Sequence, residues 1–91
     1  MVTIKKGSKS FYVGEAEENP LAEMTFIYAE ENLIIIDHTI VSDKLRGQNV
    51  GRLLLKEVVD WARKENKKIT PICPFAKAEM EKNKEYLDMI Y

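Results

Sequence analysis

The spacing of apolar residues changes along the chain, and each change predicts a different element. Leu33–Ile36 is an unbroken apolar run with three isoleucines, which is typical of a strand buried on both faces. From Val50 the apolar residues recur every three or four positions, as they do on one face of a helix. Asn66 suits the end of that helix, since Asn tolerates the left-handed conformation common there. The pattern therefore predicts a strand over Leu33–Val41, a polar turn and a helix from Val50 to Asn66.

Weaker patterns on either side predict further strands and one more helix. Ser10–Ala16 and Leu21–Ala29 are separated by short turns, which indicates an antiparallel meander with Leu33–Val41. Ile69–Cys73 predicts a last strand, and the strand–helix–strand connection makes it parallel to Leu33–Val41. Phe75–Lys82 predicts a short final helix. The expected fold class is α/β (α+β), with a mixed, mainly antiparallel sheet and a central strand–helix–strand crossover.

The polar turn before the long helix has the chemistry of an anion site. A helix start leaves about four backbone N–H groups without partners, and the helix dipole adds partial positive charge there. Gly47 and Gly51 lack a Cβ and allow a ligand to approach the backbone, while Arg46 and Arg52 add full charges. These features predict a phosphate site. The alternative is an ordinary helix start, with Asn49 as its N-cap.

The composition of the chain argues against several classes of partner. With 91 residues, 45% of them hydrophobic and 32% charged, the chain predicts a single globular domain over residues 1–91. A net charge of −1 gives no bulk attraction to nucleic acid, and one His and one Cys do not make a metal-ligand set. No apolar run approaches the roughly 20 residues of a membrane span, and no signal-peptide stretch is present. We therefore expect a cytoplasmic protein without a metal, nucleic-acid or membrane partner.

The charge is divided unevenly along the chain. Residues 1–45 hold eight acids and four bases, whereas residues 46–91 hold ten bases and seven acids. A basic half suits a polyanionic cofactor, and an acidic half suits a cationic acceptor. Ordinary solvated charge is the alternative explanation.

The polar turn resembles motif A of the GNAT acyl-CoA N-acyltransferases, [QR]-x-x-G-x-[GA]. Arg46, Asn49 and Gly51 take its first, fourth and sixth places. Asn49 departs from the usual Gly, but Asn is the residue after Gly most at ease with positive φ. The wider chain is similar to a branch of very small, stand-alone GNAT-like domains. The segments that carry this resemblance are Asp37-His38-Thr39, Arg46-Gly47-Gln48, Ile69–Phe75 and Glu85-Tyr86.

This resemblance implies that the cofactor is acetyl-CoA. The turn and the first helical residues would bind its pyrophosphate: Arg46, Gly47, Gln48, Asn49, Val50, Gly51 and Arg52. The pantetheine arm would pair with Thr39, Ile40 and Val41, at a gap where the last two strands separate. Pro71 and Pro74 are candidate causes of that separation, because proline removes a ladder donor. The alternative is that Pro71 only marks an edge strand.

The candidate catalytic residues are Cys73 and His38, and the resemblance points to the segment that holds Cys73. Cys73 could be a nucleophile, a contact to the thioester or a packing residue. His38 is in phase with Ile34 and Ile36, so without a bulge it shares their face. There it could take a proton from the amine or lower the pKa of Cys73, or it could be an ordinary strand histidine. Weaker candidates are Tyr86 as general acid, and Asp37 and Glu23 as bases.

Three functions remain open at this stage. The first is an N-acetyltransferase that moves acetyl from acetyl-CoA to an unidentified amine, on a small molecule or a protein. The second is an acetyl-CoA-binding module without turnover, since no helical period precedes Val50 to shape an acceptor site. The third is a small interaction domain without a cofactor. A monomer or weak dimer is expected in each case.

Overall fold

The fold is a five-stranded sheet with two α-helices, seen in a computed structural model that describes residues 2–91. Met1, the first residue of the predicted domain, lies outside the described residues. The strands follow the chain order across the sheet; the first four are antiparallel, and the last is parallel to the fourth. The predicted α/β class is confirmed. The elements are β1 (Lys5–Lys6), β2 (Ser10–Val13), β3 (Ala22–Glu30), β4 (Leu33–Val41), α1 (Val50–Lys64), β5 (Lys68–Pro71) and α2 (Pro74–Lys82), with 3₁₀ helices at Asp43–Leu45 and Lys84–Met89.

The hydrophobic core lies between α1 and one face of the sheet, which we call the inner face. α1 directs a continuous apolar stripe at this face, as its helical spacing predicts. α2 lies beside α1 and adds the buried side chains of Ala76 and Met80. The fully buried side chains that meet in this layer include Met24, Ile34, Ile36, Leu54, Leu55, Val58, Val59 and Ile69.

The end of α1 follows local chemistry. Asn66 has φ 59°, and its N–H donates to the Arg63 carbonyl at 3.3 Å. The N–H of Lys67 donates to the Ala62 carbonyl at 2.8 Å. These two bonds form a Schellman motif, which satisfies carbonyls that the helix end would leave free. The predicted stop at Asn66 is confirmed, with the last helical residue two positions earlier.

A β-bulge in the middle of β4 changes which side chains face the core. Phe26 pairs with Ile36, but Thr25 pairs with His38, so Asp37 is an extra residue without a partner on β3. Because side chains alternate along a strand, one extra residue reverses the facing of all that follow.

The bulge overturns the expected position of His38. His38 was expected on the face of Ile34 and Ile36 in the absence of a bulge. It lies instead on the opposite, outer face and is exposed, whereas Thr39 now shares the inner face with Met24. No periodicity in the sequence signals this change.

The outer face of the sheet carries side chains that no helix buries. Tyr12, Thr25 and Ile35 are half-buried there, and Ile27 and Ile40 are each 49% exposed. Both α-helices lie together on the inner side, where the ring of Phe75 in α2 packs against Gly51 in α1. Within residues 2–91, no helix has the length and apolarity that crossing a membrane requires.

Pro71 does not interrupt the pairing of β5 with β4, which corrects one expectation. The N–H of Lys68 donates to the carbonyl of Asn32, just before β4, at 2.8 Å, and the N–H of Ile72 donates to the Ile36 carbonyl of β4 at 3.0 Å. Backbone groups alternate in direction along a strand, so the nitrogen of Pro71 points to the other edge. There the N–H of Tyr91 donates to the Ile69 carbonyl at 2.8 Å. Pro71 is therefore compatible with the pairing of β5 and β4. This agrees with the alternative explanation, in which Pro71 only marks an edge strand.

Candidate functional site

The start of α1 presents unpaired backbone donors. Asn49 adopts the left-handed conformation, with φ 56° and ψ 33°, and its side chain makes no capping hydrogen bond. The first intrahelical bond runs from the N–H of Leu53 to the Asn49 carbonyl at 3.1 Å. The N–H groups of Val50, Gly51 and Arg52 therefore have no acceptor among residues 2–91. Asn49 keeps the backbone geometry of a glycine and leaves the amides available.

The two glycines of this turn serve different purposes, although the sequence suggested one purpose for both. Gly47 has φ 84°, and a Cβ built there would meet nothing within 4 Å. It supplies a backbone conformation and faces open space. A Cβ on Gly51 would lie 2.9 Å from Cζ of Phe75, so its missing side chain makes room for that ring. The requirement at Gly51 is therefore packing between α1 and α2.

The arginines also differ. Arg46 forms an ion pair with Asp43 at 2.7 Å, and both side chains are almost fully exposed. Arg52 lies 3.3 Å from Glu79 on α2, and Glu79 also pairs with Lys82 at 2.9 Å. The exposed pair is weakly held and can open, because such pairs contribute only about 0.2–1 kcal/mol. Arg52 is oriented by a carboxylate with only 15% of its side chain exposed.

β4 loses its second neighbour halfway along its length. Its pairing with β5 ends where Ile36 lies opposite Pro71, and the Ile36 carbonyl accepts the N–H groups of Ile72 and Cys73 at 3.0 and 3.1 Å. The next residue, Pro74, begins α2. Beyond Ile36 one edge of β4 is therefore unpaired within residues 2–91, which forms a gap between β4 and the start of α2.

The backbone groups that face this gap can be assigned. The N–H of Ser42, just after β4, donates to the carbonyl of Leu21, just before β3, at 2.8 Å, so these two residues form a hydrogen-bonded pair. Hydrogen-bonded pairs recur at every second residue of antiparallel strands. The backbone N–H and C=O groups of His38 and Ile40 therefore also point toward β3. Thr39 and Val41 consequently direct their N–H and C=O groups into the gap. The unpaired edge thus offers two residues, where the sequence predicted three.

Cys73 lies at the closed end of the gap. Its sulfur is 3.2 Å from the Thr39 hydroxyl oxygen, and the residue is only 5% exposed. This contact requires the bulge, which turns the Thr39 side chain inward. The sequence identified Thr39 only as a backbone contact, so its side-chain role was missed. No signal in the sequence could have indicated it, since the contact joins residues from two elements through an irregular strand.

His38 and Cys73 are not brought together. The His38 side chain points away from the side on which Thr39 contacts Cys73, and no hydrogen bond or ion pair joins its imidazole to another residue of the described chain. The idea that His38 lowers the pKa of Cys73 therefore has no contact to support it. Asp37 accepts a hydrogen bond from the Thr25 hydroxyl at 2.6 Å on the outer face, and Glu23 lies opposite Ile40.

Tyr86 lies elsewhere, in a depression beside the middle of α1. Lys56, Asp60 and Arg63 line this depression with it. Burial raises the pKa of Tyr86, and the nearby Asp60 carboxylate raises that pKa further. A raised pKa makes the phenol a weaker acid. Nothing in this environment supports Tyr86 as the general acid.

The chain is similar in sequence to a known protein family and in structure to a solved protein. The sequence model of the GCN5-related N-acetyltransferases matches residues 10–89. The NMR solution structure of a GCN5-like protein from Staphylococcus aureus matches in fold with a TM-score of 0.82. The two chains are 49% identical, over 99% of this chain and 88% of that one. No curated protein matches the chain with significant similarity.

Proposed function

Because this chain belongs to the GCN5-related N-acetyltransferase family, we propose that it binds acetyl-CoA and transfers the acetyl group to an amine. One observation carries the proposal: the unpaired amides of α1 adjoin the unpaired edge of β4, which leads to Cys73. A ligand with an anionic end and an extended amide-bearing arm fits this arrangement. Acetyl-CoA has both features, joined in that order.

The anionic end of such a ligand suits the start of α1. The N–H groups of Val50, Gly51 and Arg52 and the positive end of the helix dipole favour a pyrophosphate. The open space at Gly47 leaves room for it. Arg46 can exchange its exposed contact with Asp43 for a phosphate oxygen at little cost. Arg52 is held in place by Glu79.

The extended arm suits the unpaired edge of β4. The pantetheine arm carries two amide groups, which can pair with strand backbone as an added strand does. Thr39 and Val41 supply the backbone groups, while Ile40 directs its own toward β3. An arm that runs along this edge toward Ile36 ends beside Cys73. A thioester at the end of that arm would lie near the sulfur and the Thr39 hydroxyl.

The transfer itself needs few groups. The neutral acceptor nitrogen forms a bond to the thioester carbonyl carbon while the carbon–sulfur bond breaks. The nitrogen loses one proton, and the leaving thiolate gains one. The exposed His38 is available to take the proton of an amine that approaches from the outer face.

Cys73 is proposed to contact the acetyl group directly. In the two-step route its sulfur forms a bond to the carbonyl carbon and gives its proton to the departing thiolate. The amine then attacks the acetylated Cys73 and restores the thiol. In the one-step route, the sulfur only borders the thioester. In either route the Thr39 hydroxyl, 3.2 Å from the sulfur, can donate a hydrogen bond to the thiol or accept one from it.

A second candidate function is acetyl-CoA binding without turnover. The uncovered outer face favours it, because no helix of the described chain encloses an acceptor there. Steady release of free thiol from acetyl-CoA in the presence of an amine separates the two functions. The cytoplasmic location, the single domain over residues 1–91 and the monomer or weak dimer stay predictions.

Following backbone amide shifts during an acetyl-CoA titration tests the binding. We expect the largest shifts at Gln48–Arg52 and at Thr39 and Val41, with smaller ones at Ile40. Pantetheine alone should move only the β4 edge, and adenosine 3′,5′-bisphosphate only the turn. Largest shifts within residues 2–29 would show that the phosphate site is wrongly assigned.

A further inference from the structure

We infer that the outer face of the sheet is a docking surface for a basic, lysine-bearing segment of another protein, whose lysine is the acceptor amine. The acceptor role rests on the proposed acetyl transfer, whereas the docking itself does not. The surface consists of Glu23, Thr25 and Ile27 on β3, Asp37, His38 and Ile40 on β4, and Ile72 after β5.

The first observation is apolar exposure. Ile27 and Ile40 are each 49% exposed, and Ile72 is 59% exposed. They lie on the one sheet face that no helix of residues 2–91 covers. Exposed apolar side chains on an uncovered sheet face are positions that a binding partner can bury.

The second observation is charge. Glu23 on β3 and Asp37 on β4 place two carboxylates on this face, and Asp37 belongs to the strand with the unpaired edge. The Glu23 carboxylate makes no hydrogen bond or ion pair with any residue from 2 to 91. The lysines of the face lie away from them. Lys5 is on the edge strand β1, and the Lys68 ammonium donates to the Asp88 carbonyl. A cationic partner complements this pattern.

The third observation is position. His38 and Ile40 flank Thr39 along β4, and the Thr39 side chain contacts Cys73 on the inner side. An amine that arrives over His38 therefore reaches β4 beside the gap. It approaches from the face opposite to α1, whose first turn is proposed to hold the donor phosphates. Donor and acceptor thus need not compete for space.

The size of the surface favours a polypeptide over a small amine. The isoleucines span β3, β4 and the end of β5, which is about 10 Å at roughly 4.8 Å per strand. A small amine could meet Glu23 and Ile40, which lie opposite each other, but not Asp37, Ile27 and Ile72 as well. A peptide with apolar and basic residues around a lysine can meet them at once.

The test uses two short peptides, each with one central lysine and the same leucines, flanked by arginines in one and by aspartates in the other. Without acetyl-CoA, the basic peptide should shift the amides of Glu23, Thr25, Ile27 and His38, and the acidic one should not. With acetyl-CoA, the basic peptide should be acetylated with the lower KM. High salt should weaken its binding.

A matched pair of variants localises the effect. Glu23→Gln should raise the KM for the basic peptide about two- to fivefold, as expected for one exposed ion pair. Glu23→Lys should raise it further, because it adds repulsion. Glu30→Gln is the control, because it removes the same charge from the same strand about 20 Å from Glu23, at roughly 3.3 Å per residue. It should leave the KM for the basic peptide unchanged. The affinity for acetyl-CoA should be equal in all three.

The outcomes separate this inference from the proposed function. Binding of the basic peptide at these amides without thiol release would retain the docking surface and reject the transfer. The docking surface would be rejected if the protein released thiol equally well with both peptides and with a small amine, and if Glu23→Lys left these rates unchanged. If the same amides shifted when only the protein concentration was raised, the face would bind a second copy of this chain. That result would also overturn the inference.

Discussion

The two halves of β4 perform different tasks within one strand. Leu33–Ile36 pairs with β3 on one side and β5 on the other, and its isoleucines at 34 and 36 are fully buried. The second half, Asp37–Val41, pairs only with β3 and buries no side chain completely. The bulge at Asp37 divides them. A strand can thus anchor a core with one half and leave one backbone edge of its other half unpaired.

The largest expected effect is at Cys73, where the second half of β4 meets the start of α2. If its sulfur is a nucleophile, Cys73→Ser and Cys73→Ala should both abolish acetyl transfer and leave acetyl-CoA binding near that of the wild type. Intact-mass measurement after incubation with acetyl-CoA should show one added acetyl group that hydroxylamine removes.

The opposite result is equally clear. A wild-type protein that turns over while Cys73 stays unmodified, and a Cys73→Ala variant that remains active, would exclude the nucleophile. The reaction would then be direct attack by the amine. A packing role alone would make Ala tolerable, at about 1 kcal/mol or somewhat more, and Ser worse because its hydroxyl would be buried.

Stability should separate the two halves next. Ile36→Ala removes a fully buried side chain and should lower the free energy of unfolding by about 2–5 kcal/mol. Ile40→Ala removes one that is 49% exposed and should cost less than about 1 kcal/mol. Urea unfolding of both variants measures the contrast. Equal losses would mean that the second half of β4 is as firmly packed as the first.

The turn beyond β4 should show a smaller effect, on affinity. Arg46→Ala and Arg52→Ala should each weaken coenzyme A binding about fivefold, and by less at high salt, where screening already weakens charge contacts. Lys64→Ala at the other end of α1 is the charge-matched control. Calorimetric titration at two salt concentrations gives the comparison. An unchanged affinity in both arginine variants would place the phosphates elsewhere.

The smallest effect concerns the start of β2, two strands away from β4, and it depends on pH. The hydroxyl of Ser10 donates to the Glu17 carboxylate, and the N–H groups of Lys9 and Ser8 do so too, which lowers the pKa of Glu17 to about 2 from 4.5. A lowered folded-state pKa stabilises the fold above the unfolded value of 4.5, and this stability is lost as the pH falls through about 2.

The check is the melting temperature of wild type and Glu17→Gln between neutral and acidic pH. The variant should melt lower at neutral pH, and the difference should shrink in acid. Amides of the β1–β2 turn should lose protection from hydrogen exchange, whereas those of Leu33–Ile36 should not. A constant difference across this pH range would mean that the carboxylate charge contributes nothing.

Much of the fold could be predicted because its signals are local. The bounds of β4 match the predicted Leu33–Val41, and α1 begins at the predicted Val50. The unpaired amides before Leu53 follow from any helix start. Pro71 was misread as a possible break, because its effect depends on which edge its nitrogen faces, and that is set by the neighbouring strand.

The sequence by itself determined the order of strands and helices, the unpaired amides of the turn and the left-handed residues at Asn49 and Asn66. Each of these follows from residues adjacent in the chain. Only the tertiary structure decided that His38 faces outward, that Gly51 makes room for Phe75 and that Thr39 meets Cys73. The physical reason is that side-chain facing follows from strand register. A single bulged residue, stabilised by pairing with another strand, reverses it without a trace in the local pattern.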